Sequence, residues 1–129
     1  MKLFTLSKKL TSLLFVLSFS FSSLAYSSNG HFLALNYHDI IDEEDVVPPF
    51  DRMEVNKHFL EDEFVWLKKN GYNVVSVQAV LDAAEGKSTL PDKAILLTFD
   101  DGYLSFYTKV FPLLKKYHYP ATVALVGKW

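Results

Sequence analysis

The chain has 129 residues, no cysteine and a formal net charge of -2, and half of its residues are hydrophobic. That length fits one domain at most, and that apolar fraction excludes a chain too polar to fold. The charge excludes a nucleic-acid partner, which would need a strongly basic face, and the lack of thiols excludes disulfides and a cysteine-linked lipid anchor.

The opening segment, MKLFTLSKKLTSLLFVLSFSFSSLAYSSNG, carries Lys2, Lys8 and Lys9, then no Asp, Glu, Lys or Arg before Asp39. Its apolar stretch from Leu10 to Phe21 is too short and too rich in serine to span a bilayer comfortably. Ser23 and Ala25 put small residues at the -3 and -1 positions of a cleavage site. The pattern predicts a secretory signal peptide over 1–25 and an exported mature chain over 26–129, with an uncleaved membrane anchor as the alternative. Cleavage would remove three lysines and no acids, taking the charge from -2 to -5.

Phe32 to Tyr37 forms a short apolar run without clean alternation, which predicts a strand buried on both faces. It ends in His38 and Asp39. IDEEDVVPPFDR follows, acidic and proline-containing, and reads as a loop that could line a substrate groove, although an acidic run of this kind is more often a solvated surface. Asn56 has the features of a helix N-cap, with Val55 and Leu60 placed as a hydrophobic staple. Leu60, Phe64 and Leu67 then mark one apolar helix face, Lys68 and Lys69 suit its C-terminal dipole, and Gly71 suits its end. YNVVSV predicts a second strand. SVQAVLDAAEG predicts a short helix capped by Ser76 and closed by Gly86, with KSTLPDK as a loop.

AILLTF is the third predicted strand. YLSFYTKVFPLLKKYHY predicts a helix broken near Phe111, because Pro112 suits a first turn and not a helix interior. PATVALVG predicts a fourth strand. Strands alternating with helices imply a parallel α/β fold, in which functional groups collect at the carboxyl ends of strands. Four strands cannot close a barrel, and a closed barrel takes about 200 residues or more. The chain is therefore expected to be the N-terminal part of a larger enzyme.

The third strand runs into an acidic pair, AILLTFDDGY. Asp100 and Asp101 repel each other, and each resists leaving water. Adjacent residues leaving a strand point in different directions. One carboxylate can then hold a divalent metal while its neighbour removes a proton from an activated water. Gly102 permits the sharp turn that follows. A solvated turn is the plain alternative, and acidic pairs after strands also occur in receiver domains, phosphatases and glycosidases.

LPDKAILLTFDDGY, followed by FPLLKKYHYPATVALVG, closely resembles the polysaccharide deacetylase family, whose first signature is T-F-D-D-G. With LALNYHDI and HFLEDEFVWLKKNGYNVVSVQAVLDAAEGKSTLPDKAILLTFDDGY, the chain from about residue 32 onward resembles the exported deacetylases of the biofilm polymer poly-β-1,6-N-acetylglucosamine. The resemblance implies the N-terminal part of a distorted (β/α) barrel, incomplete in this chain. It implies hydrolysis of N-acetyl groups with release of acetate, Asp100 as general base and Asp101 as a ligand of a divalent metal, zinc or another first-row transition metal. Two histidines of a later H-x(3–5)-H motif would complete the metal site, and a later histidine would act as acid. The implied partners are the polysaccharide and proteins of the export machinery, in the periplasm or at the cell surface.

The chain departs from the family in having no H-x(3–5)-H pair. Its histidines are His31, His38, His58 and His118. With one of three implied ligands, the chain by itself is expected to be inactive. A truncated carbohydrate-binding product without catalysis is the second reading. A glycosidase ranks last, since adjacent carboxylates on one turn do not flank a glycosidic bond at the required separation.

His38 or Asp39 could orient an active-site group or touch sugar, or simply cap the strand end. His118 is expected to be structural, His58 solvated and His31 disordered. Tyr103, directly after the glycine, is a candidate sugar contact, whereas Phe106, Tyr107 and Phe111 are expected in the core.

Overall fold

The computed structural model describes residues 30–42 and 53–128. The predicted signal peptide and most of the acidic loop lie outside the described residues.

The elements, in chain order, are β1 (Phe32–Tyr37), β2 (Asp39–Ile41), β3 (Glu54–Asn56), α1 (Lys57–Lys69), β4 (Asn73–Val75), α2 (Val77–Ala84), β5 (Ala94–Phe99), a π-helical segment (Phe106–Val110), α3 (Phe111–Tyr117) and β6 (Thr122–Val123). The main sheet has four strands, all parallel, with β5 at its centre. β1 pairs with the whole of β5, from Phe32↔Ala94 to Tyr37↔Phe99. β4 takes the first half of the opposite edge, at Ala94 to Leu96, and β6 the second half, at Thr98 and Phe99.

The apolar run of β5 matches its central place: every residue from Ala94 to Phe99 except Thr98 is buried. The same expectation fails for β1. Only Tyr37 is buried, and Phe32 and Leu33 are 40% and 62% exposed. β1 lies at the edge of the described sheet, and an apolar run records what a strand can bury, not where it sits.

One face of the sheet carries the core. Ile95, Leu97 and Phe99 pack there with Leu60, Phe64 and Leu67 of α1 and with Leu113 and Leu114 of α3. Asn56 starts α1 by accepting from the His58 N–H at 2.8 Å, and Gly71 leaves its end at φ +71°. Phe64 is fully buried, with the rings of Tyr117 and Tyr119 edge-on at 5.7 and 5.3 Å. Aromatic rings prefer that approach, because a positive edge meets a negative face.

Three boundaries differ from the sequence expectation. The strand read in YNVVSV stops at Val75, because the Ser76 hydroxyl accepts from the Ala79 N–H at 3.2 Å and caps α2. The helix before α3 is not broken at Phe111. The Phe111 N–H reaches back to the Phe106 carbonyl, a π-type step that adds one residue to the turn. Pro112 has no N–H to offer and its ring crowds the carbonyl four residues back, so a widened turn relieves what an α-turn could not. The fourth strand shrinks to two residues. A separate parallel pair, β2 with β3, was not foreseen; it brackets the acidic loop and buries Ile40 completely.

The buried ring of Tyr37 stacks on Phe99 at 5.0 Å, and its hydroxyl donates to Glu63 Oε2 at 2.6 Å. Burial, and then the adjacent carboxylate, push this phenol well above its ordinary range. The folded state therefore keeps a proton that the unfolded chain loses above about pH 10. Stability should fall as pH rises past that point, by up to about 1.4 kcal/mol per pH unit. Urea unfolding at several pH values from 8.5 to 11 should show the fall in wild type and a shallower one in Tyr37→Phe; equal slopes would contradict the burial argument.

Gly102 leaves β5 at φ +73°, and a Cβ there would meet Leu125 Cδ2 at 2.7 Å. The leucine tip can move aside, so the backbone conformation sets most of the cost. Gly102→Ala is expected to destabilise by about 1–2 kcal/mol, the usual strain of a left-handed non-glycine residue, read as a lower urea midpoint. An unchanged midpoint would refute the turn assignment.

Candidate active site

Parallel pairing sends β1 and β5 out of the sheet at the same end. Tyr37 and Phe99 are the last register pair, and the Asp100 N–H donates to the Tyr37 carbonyl at 2.8 Å. The next residue on each strand, His38 and Asp100, thus emerges beside the other.

The acidic pair then turns sharply. Asp101 has φ +68° and Gly102 φ +73°, and the Gly102 N–H donates to the Asp100 carbonyl at 2.9 Å. Aspartate is among the few non-glycine residues that adopt this conformation with any frequency. The turn swings the Asp101 carboxylate against the imidazole, with His38 Nδ1 at 3.1 Å from Asp101 Oδ2. His38 Nε2 lies 3.9 Å from Asp100 Oδ2. An ionised carboxylate only accepts, so Nδ1 carries the proton in this contact. The three side chains are 25 to 33% exposed. That is open enough to meet a substrate, and closed enough for charges to interact more strongly than in bulk water.

A second chain of contacts reaches Asp100 from the opposite sheet face to Tyr37 and Phe99. Thr98 Oγ1 donates to Asn36 Oδ1 at 2.6 Å, and Asn36 Nδ2 donates to Asp100 Oδ2 at 2.9 Å. Asn36 and Thr98 are register partners, so their side chains share one face. Neither residue stands out in the sequence as a site residue. The available signal was a polar residue two places before each strand-end group, His38 and Asp100, within otherwise apolar strands.

Asp39 turns elsewhere. Its Oδ1 accepts from the Ser105 hydroxyl at 2.5 Å, and Ser105 Oγ accepts from the Ile40 N–H at 3.2 Å. The pair ties the segment after β1 to the helical segment after the acidic turn. Tyr103 is 43% exposed next to Gly102. Of the three aromatics expected in the core, Phe106 packs on Phe99 with ring centres 5.2 Å apart. Tyr107 and Phe111 instead stack on each other at the surface, 70% and 44% exposed, which corrects that expectation. The widened π-turn shifts the helix phase between Phe106 and Phe111, so regular 3.6-residue spacing misplaces them. His58 is exposed, His118 closes α3 at φ +57°, and His31 is exposed just ahead of β1.

Among the described residues, no group of three or more His, Asp or Glu side chains is arranged to hold a metal ion. The donors at the strand ends, carboxylate oxygen and imidazole nitrogen, are of the kind that suits a first-row divalent ion. They fit in type and supply part of a ligand set.

Comparison with known proteins gives the same family from sequence and from fold. The family described as polysaccharide deacetylase matches residues 87–129. The poly-beta-1,6-N-acetyl-D-glucosamine N-deacetylase of Escherichia coli K12 is 45% identical over 101 residues, covering 78% of this chain. The chain spans only 14% of that relative's length. A de-N-acetylase of Aggregatibacter actinomycetemcomitans superposes with a TM-score of 0.67 at 44% identity, over 74% of this chain and 37% of that one. A Streptococcus pyogenes deacetylase, solved in complex with acetate, superposes with a TM-score of 0.63 at 29% identity, over 74% of this chain and 42% of that one. These likenesses extend through the strands and the turn that carry Asp100, Asp101 and His38, and on them the chain belongs to the polysaccharide deacetylase family.

Proposed function

We propose that the protein bearing this chain removes N-acetyl groups from an exported polymer of N-acetylglucosamine, releasing acetate and leaving free amines. The observation that carries this reading is the gathering of Asp100, Asp101 and His38 at the carboxyl end of β1 and β5. Amide hydrolysis needs a base for the attacking water, an electrophilic aid at the carbonyl and an acid for the departing nitrogen.

Asp100 takes the proton from water as the water oxygen bonds to the acetamide carbon. The carbon–nitrogen bond then breaks, its electron pair stays on nitrogen, and a proton must reach that nitrogen. The resemblance put this last task on a later histidine. The geometry favours His38, whose Nδ1 is held by Asp101 while Nε2 faces the same space as Asp100. An imidazole oriented in that way by a carboxylate suits proton delivery to the departing nitrogen. Asp101 is the residue of this chain that would hold a divalent metal, zinc or another first-row ion. Such an ion, when bound, would polarise the carbonyl and make water more acidic.

The polymer is read from the 45% identity to the Escherichia coli enzyme. Export is read from the N-terminal segment, with cleavage after Ala25 and work in the periplasm or at the cell surface alongside export-machinery proteins. Tyr103, exposed directly after Gly102, is read as a contact for a sugar ring.

Acetate release from an N-acetylglucosamine oligomer, measured with protein expressed from its complete coding sequence, tests this reading. Asp100→Asn and His38→Ala should each reduce the rate about 100-fold or more, the usual worth of a positioned acid or base. A chelator should stop release, and an added divalent ion should restore it. Full rate in Asp100→Asn, indifference to the chelator, or new reducing ends in place of acetate would each count against it.

A further inference from the structure

The base proposed above is itself aimed by two residues that lie upstream of the acidic signature's reacting groups. We infer that Asn36, fixed by Thr98, is a positioning residue for Asp100; the inference rests on Asp100 being the base.

A carboxylate at the end of a strand can rotate about its side-chain bonds, and a base works only when one oxygen points at the proton it removes. The Asn36 amide N–H meets Asp100 Oδ2 at 2.9 Å. An amide group can present either its oxygen or its nitrogen to a neighbour, and a flipped amide would set oxygen against carboxylate. The Asp100 carboxylate, which only accepts, takes the nitrogen end, and Thr98 braces the other end, its hydroxyl donating to Asn36 Oδ1 at 2.6 Å. Thr98 Oγ1 also lies 3.3 Å from the Leu35 carbonyl, which keeps the hydroxyl at the junction of the two strands. The register pair Asn36↔Thr98 places both side chains one step inside the strand ends, on the face from which Asp100 departs.

Asp100 Oδ2 is the oxygen held by Asn36, and it is also the one nearest His38 Nε2, at 3.9 Å. The contact therefore fixes the carboxylate relative to the imidazole that completes the reaction. Both Asn36 and its hydrogen bond to Asp100 are exposed among the described residues. An exposed hydrogen bond adds little to folding, because water competes for both partners. Its loss should be read in turnover and not in thermal stability.

The test uses the protein expressed from its complete coding sequence, with kcat, KM and Tm measured together on an N-acetylglucosamine oligomer. Asn36→Ala should lower kcat by about 10- to 100-fold, the range expected when a reacting group is misplaced by about an ångström. KM should change less than about twofold, since the lost contact is not with substrate. Asn36→Asp keeps the shape and the acceptor for Thr98 but sets a like charge against Asp100, so it should be the slower of the two. Thr98→Val should lower kcat and Thr98→Ser should restore it, because only the hydroxyl matters. Tm should stay near wild type throughout. Wild-type kcat in Asn36→Ala, with Asp100→Asn inactive, would overturn this inference alone. Equal kcat in Thr98→Val and Thr98→Ser would also overturn it. Turnover retained in Asp100→Asn would overturn the inference together with the functional reading beneath it.

Discussion

Six parallel register pairs join β1 to β5, from Phe32↔Ala94 to Tyr37↔Phe99, and the contacts of the acidic turn follow from where those pairs stop. A strand advances about 3.3 Å per residue and alternates its side chains between faces. Slipping β1 by one place would carry His38 that far from Asp101 and turn Asn36 onto the opposite face. The register is pinned from the core side. Tyr37 stacks on Phe99 and donates to Glu63 of α1, while Phe99 is covered by Phe106. One face of two short strands thus buries aromatic rings, and the other face sends polar groups to the strand ends. Packing on the first face sets the geometry on the second.

The turn adds a local constraint to this frame. Asp101 and Gly102 both adopt left-handed backbone conformations, which reverses the chain within two residues and brings the second carboxylate back over β1. Glycine adopts this conformation freely, but at Asp101 it costs free energy and persists where the surroundings over-determine it. Here the Asp100 N–H to the Tyr37 carbonyl, His38 to Asp101, and Ser105 to Asp39 hold the turn from both sides. The two adjacent acids need not repel at close range, since one leans on an imidazole and the other on an amide. They also become chemically different: Asp101 is tied to His38 Nδ1, and Asp100 accepts from Asn36.

Much of this was legible in the residues. Asn56 and Ser76 are N-caps because their side-chain oxygens meet orphan N–H groups, and that preference is local enough to read from sequence. Leu60, Phe64 and Leu67 repeat at helical spacing and are buried accordingly. AILLTF, buried on both faces, required only its composition. The acidic pair stood out because charge after an apolar strand needs a reason. The failures have a shared cause: they depend on where an element sits among its neighbours. β1 carries the same kind of apolar run as β5 yet lies at the edge of the described sheet. The phase shift at Phe106–Val110 comes from Pro112 acting through a hydrogen-bond step. Asn36 and Thr98 gain meaning only once the register sets them opposite each other.

The central claim is that strand pairing holds the His38 ring against Asp101 in one defined orientation. Nitrogen-15 NMR of the His38 imidazole in the folded protein reads this directly, because it reports which ring nitrogen bears hydrogen. The account predicts a protonated Nδ1 at neutral pH, in a neutral or a charged ring alike, and loss of that preference when Asp101 is replaced by alanine. A bare Nδ1 in the wild-type protein, or a ring unaffected by the replacement, would contradict it.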